Sequence, residues 1–66
     1  MKITVNGRVQ EFNSAANLKY LIEHCSPANT HVIAEVNGSV IKRAGWEQTA
    51  IGEGDTVELV NLVGGG

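Results

Sequence analysis

The chain opens on an alternation. In "KITV", Ile3 and Val5 point one way and Lys2 and Thr4 the other, the period of a half-buried strand. Asn6-Gly7 follows, a dipeptide suited to the type I′ hairpin turn because both central residues need positive φ. "RVQEF" then returns as a second strand. In "NLKYLIEHC" the period lengthens: Leu18, Leu21, Ile22 and Cys25 fall at i, i+3, i+4 and i+7, one apolar stripe of a helix. Asn17 is the expected N-cap, Ser14 an alternative start, and Pro27 the stop. "HVIAEV" is a short apolar strand, and a second Asn-Gly pair, Asn37-Gly38, turns it into "SVI". A loop with Trp46 and a turn cluster, Gly52 to Asp55, lead to "TVELVNLV", the most apolar strand.

The order is therefore ββαββ, a loop, then β. Two local hairpins and one helix predict an α+β fold, a mixed sheet with the helix on one face. The last strand has to return from the second half of the chain and is expected beside the first strand at the sheet centre. The predicted core is Ile3, Val5, Leu18, Leu21, Ile22, Ala34, Val36, Ile41, Val57 and Leu59, with Trp46 partly covered. Strand parity turns Glu58, Val60 and Leu62, and on the neighbouring strand Ile33 and Glu35, to the face without a helix. Ile33, Val60 and Leu62 are thus expected to form an exposed apolar patch, fringed by Lys42 and Arg43, that docks a partner. Strand propensity alone is the alternative source of that apolar character.

Composition narrows the function. At 66 residues the chain is one small domain, residues 1–66, with 63–66 expected as a flexible tail. Its 42% apolar and 18% charged residues are globular proportions. A net charge of -2 with five Lys plus Arg argues against a nucleic-acid binder. A single cysteine forms no internal disulfide, which points to a reducing compartment, and neither a signal-peptide core nor a membrane-length apolar run is evident. A cytoplasmic location is the resulting expectation.

Catalytic chemistry is thin. Cys25 lies on the apolar helix stripe, the place of a structural cysteine rather than a nucleophile. His24 and His31 lack partners at metal-ligand spacing. Asn37-Gly38-Ser39 matches a glycosylation acceptor but reads as a hairpin turn. No nucleophile, base and oxyanion donors assemble, so the chain is expected not to be an enzyme itself. What stands out is the end, Gly64, Gly65 and Gly66, directly after an apolar strand. At ~3.6 Å per residue these reach ~11 Å past the fold. They are either an inert end or a means of presenting a carboxylate inside a narrow channel of another protein.

The stretches "MKITVNG", "NLKYLIEH", "VNGSVIKRAGW", "IGEGDTVELV" and "VGGG" together resemble the ThiS family, the small sulfur carriers of thiamin (thiazole) biosynthesis, within the ubiquitin-like β-grasp superfamily. The resemblance covers the whole chain. Its more specific part is the middle stretch, where a strand and Asn-Gly turn are followed by Arg43 and, three on, Trp46. Two departures are mild: a third glycine, and Cys25-Ser26 where the family often has Leu. The resemblance implies a five-stranded mixed sheet in ββαβββ order. It implies that a ThiF-like adenylyltransferase uses MgATP to convert Gly66 to an acyl-adenylate, with Gly64 and Gly65 threading the channel. Persulfide sulfur, supplied by a cysteine desulfurase or another donor, then gives a thiocarboxylate that a ThiG-like thiazole synthase uses. The carrier binds no cofactor in this scheme. The alternatives are the small subunit of molybdopterin synthase, a ubiquitin-like protein modifier, and a plain binding module.

Overall fold

Both Asn-Gly pairs make the expected turns. Asn6 and Gly7 have φ of 50° and 82°, Asn37 and Gly38 of 51° and 88°, the left-handed pair that a type I′ hairpin requires. The computed structural model describes residues 1–13, 16–25 and 31–61. Across the first turn β1 (Lys2–Val5) pairs antiparallel with β2 (Arg8–Glu11). Across the second, β4 (Val32–Val36) pairs with β5 (Ser39–Ile41). The last strand, β7 (Thr56–Asn61), lies between the two hairpins, parallel to β1 and antiparallel to β4. The five-stranded sheet thus has the order β2-β1-β7-β4-β5, with the last strand beside the first at the centre, as expected from its return out of the second half of the chain.

Helix α1 (Leu18–Cys25) covers one face. The Tyr20 amide donates to Asn17 Oδ1 at 2.8 Å, so Asn17 is the N-cap. The amides of Leu18 and Lys19 donate to the carbonyls of Thr49 and Trp46, at 2.8 and 3.3 Å. The Trp46 loop therefore satisfies donors that a helix start leaves open. Leu18, Leu21 and Ile22 are buried against the sheet, and Cys25 is half-buried beside them. Ser14 and Pro27 lie outside the described residues.

Three short elements are additional to the expected order. β3 (Ala16–Asn17) and β6 (Ala50–Ile51) form a two-stranded ribbon, and a 3₁₀ turn spans Arg43–Gly45. The core differs accordingly. Phe12 and Ile51 are buried although neither was expected there, and Trp46 is 4% exposed rather than partly covered. Phe12 turns inward because pairing continues past β2: its amide donates to Met1 O at 2.8 Å and its carbonyl accepts from the Met1 amino group at 2.6 Å. Ile51 is placed by its pairing with Ala16. The 3₁₀ turn folds Trp46 back so that its indole N–H donates to Ile41 O at 3.0 Å, with the Arg43 guanidinium 5.2 Å from the ring centroid. Conversely, Val36, Ile41 and Leu59 are only partly buried. A helix of eight residues is roughly 12 Å long and leaves the sheet ends partly open.

β7 is fastened at its start and its middle by the two turn asparagines. Thr56 N donates to Asn37 Oδ1 at 2.9 Å and Leu59 N to Asn6 Oδ1 at 2.7 Å. The asparagine of each hairpin turn, besides taking a positive φ, also supplies a side-chain bond to the central strand.

Candidate docking face and carboxyl tail

The face of the sheet opposite α1 has no element covering it among the described residues. Its outward positions follow from the register. Glu35 pairs with Glu58 and Ile33 with Val60 between β4 and β7, and Val40 on β5 pairs with Glu35. Successive residues alternate faces, so Val57 and Ala34, both fully buried, leave Glu58, Val60, Ile33 and Glu35 on the open side. Ile33 is 40% exposed, Val60 50% and Val40 61%. These are aliphatic side chains in water on adjacent strands, the arrangement expected for Ile33 and Val60. Val40 belongs to the same patch. Its outward position follows from the Asn37-Gly38 hairpin, which sets it opposite Glu35, although the expected patch left it out, the parity not having been carried across that turn. Val9, 67% exposed, lies at the other edge of the sheet, opposite Thr4.

Leu62, Gly64, Gly65 and Gly66 lie outside the described residues. The described part of the chain ends at Asn61, the last residue of β7, opposite Val32. The tail therefore follows directly on the strand that bears Glu58 and Val60.

The other reactive side chains stand elsewhere. Burial pushes the Cys25 thiol above its ordinary value, which disfavours the thiolate, and its Sγ is 4.0 Å from Gln10 Oε1. His24 is exposed and packs against rings, edge-on to Phe12 at 5.7 Å and stacked on Tyr20 at 6.0 Å. His31 is exposed in the turn before β4. An open cleft of about 330 Å³ is lined by Lys19, Glu23, Arg43, Ala44, Trp46 and Glu47. It contains the Lys19–Glu47 ion pair, 3.8 Å long between exposed groups. Among the described residues no group of three or more His, Cys, Asp or Glu is placed to hold a metal, and no helix is long and apolar enough to cross a membrane.

Comparison with known proteins decides the family. The ThiS family model matches residues 3–66. The chain belongs to the ThiS family. A crystal structure of the thiamine biosynthesis protein ThiS from Geobacter metallireducens superposes with a TM-score of 0.84 and 32% identity, each chain covered in full. A solution structure of a thiamine biosynthesis protein from the same organism gives 0.81 and 30%, over 100% of this chain and 88% of that one. The fold is accordingly the ThiS β-grasp. Among sequences, a thiazole synthase of Paramagnetospirillum magneticum is 27% identical over all 66 residues, which make up 20% of that protein. The ThiS-family chain spans about a fifth of that relative's length. The uncharacterized protein ycf40 of Trieres chinensis is 27% identical over 62 residues, 94% of this chain and 85% of that one. Family and structural relatives support a sulfur-carrier role, the role of a small protein acted upon rather than a catalyst.

Proposed function

We propose that this ThiS-family chain carries sulfur for thiazole formation in thiamin biosynthesis, with the Gly66 carboxylate as the carrying group. The observation that supports the reading most is the family match running from residue 3 through Gly66, over a fold whose central strand leads into the glycines. An α-carboxylate is ionised at neutral pH, with a pKa of about 3.3–3.7, and is a poor electrophile. Its oxygen attacks the α-phosphorus of MgATP on a ThiF-like adenylyltransferase, pyrophosphate leaves, and the acyl carbon becomes bonded to a good leaving group. A persulfide sulfur, delivered by a cysteine desulfurase or another donor, attacks that carbon and expels AMP. A thiol then cleaves the S–S bond and releases the thiocarboxylate. Gly64 and Gly65 lack side chains that would obstruct a narrow channel, and Ile33, Val60 and Leu62 form the face that docks the enzyme.

The thiazole synthase relative supports a ThiG-like enzyme as the acceptor of the sulfur. A segment 27% identical to this entire chain lies within a protein of that name, of which it makes up 20%. That relationship favours thiazole over molybdopterin chemistry.

The test is ATP–pyrophosphate exchange with a ThiF-like adenylyltransferase from the same genome. Protein lacking Gly65 and Gly66 is expected to lose exchange while its thermal melt stays at the full-length value. Normal exchange by the shortened protein overturns the proposal.

A further inference from the structure

The open face carries a feature that folding does not ask for. Glu35 and Glu58 are direct cross-strand partners on the same side of the sheet. Asn37 N donates to Thr56 O at 2.7 Å. The pair two residues along, Glu35–Glu58, has the same hydrogen-bonded pattern, with Cα atoms about 5.5 Å apart. Like charges in that position destabilise a sheet. Neither carboxylate has a hydrogen-bond or ion-pair partner among the described residues, and Lys42, one residue past β5, pairs with neither. Around the two acids lie Ile33 and Val60, the next pair on the same face, and Val40 on β5 opposite Glu35, all exposed. The result is a twin carboxylate set in an aliphatic frame, with Glu35 on β4 and Glu58 on β7, the strand that precedes the glycines in sequence.

We infer that this site receives an arginine of the tail-activating enzyme, its guanidinium seated between Glu35 and Glu58 and its surroundings apolar to match Ile33, Val40 and Val60. A guanidinium is planar and always charged. It presents donors on two edges, so it can bond one carboxylate on each, whereas an ammonium offers a single point charge. The apolar frame excludes water and makes that pairing stronger than a rim contact. A second copy of this chain is a poor occupant because it would bring two more carboxylates to the same place. The inference rests on the proposed function, since it takes the enzyme that activates Gly66 as the occupant.

The experiment compares wild type, Glu35→Gln/Glu58→Gln and Val60→Asp. Each is titrated calorimetrically against a ThiF-like adenylyltransferase from the same genome, at low and moderate salt, and melted alone. The double Gln variant is expected to bind at least about tenfold more weakly, with a shallower salt dependence, yet to melt no lower than wild type because the repulsion is gone. Wild-type affinity in the double Gln variant, with binding lost in Val60→Asp, overturns the arginine inference and leaves the docking face standing. Wild-type affinity in both overturns the docking face as well. Sedimentation of the free chain as a dimer that the Gln substitutions strengthen would give the face to a second copy and also overturn the inference.

Discussion

Asn37 holds the entry of the central strand with one amide. Its oxygen accepts from Thr56 N at 2.9 Å and its nitrogen donates to Asp55 Oδ1 at 3.1 Å, while the other Asp55 oxygen accepts from Gly52 N at 2.8 Å. The Gly52 amide first, and the Asn37 amide second, hold the Asp55 carboxyl below its ordinary value of 3.8. The sign of the linkage follows. Below that ordinary value the unfolded chain takes up a proton that the folded one refuses, so this contribution is complete above it and is lost as the pH falls through the lower folded value. Asn37→Asp keeps the acceptor for Thr56 and the tolerance for a φ of 51°, but sets a second carboxylate against Asp55. The expected effect is a loss of about 1 kcal/mol at neutral pH, modest because the site is exposed. The gap to wild type should narrow in acid as the repulsion is protonated away. Paired thermal melts at neutral and acid pH measure it, and equal melting at neutral pH would remove the amide from the account.

At the scale of the element, α1 depends on a short stripe. Leu18, Leu21 and Ile22 are its buried residues, and Leu21→Ala is expected to remove about 2–5 kcal/mol, a large share of a small domain's stability. A urea midpoint unmoved by that substitution would contradict the packing described. The stripe and its Asn17 cap were legible because a helix repeats its signal over several turns. The hairpins were legible because Asn-Gly names its own turn. Phe12 and Ile51 were not. Val9 and Phe12 are three apart in one strand and cannot share a face, and Phe12 is shown to turn inward only when the Asn6-Gly7 hairpin register is carried past Glu11 to Met1. Ile51 belongs to a two-residue strand, too short to show alternation. Trp46 was placed on the right surface but too shallowly, since its burial depends on a 3₁₀ turn that leaves no periodic trace.

Over the whole molecule, parity along β7 and β4 was enough to put Ile33 and Val60 on the open face. The juxtaposition of Glu35 with Glu58 required the register between strands far apart in sequence, and that register is fixed by how the central strand is fastened. The same fastening has a mechanical side. On the proposed function, an enzyme holding the Gly66 end would load β7 along its length. Because β1 runs parallel beside it, tension between residues 1 and 66 acts on their hydrogen bonds in shear, all at once. Tension between His31 and residue 66 instead opens the antiparallel β4–β7 pair from the end where Val32 meets Asn61, one bond at a time. Single-molecule pulling is expected to need the larger force in the first geometry, and equal forces would show that the parallel pair bears no load. Forced unfolding follows the barrier along the direction pulled rather than the equilibrium stability. Resistance to tension between residues 1 and 66 is therefore set by the direction of pulling along the parallel β1–β7 pair, and a small domain can be stiff along that axis whatever its stability to heat.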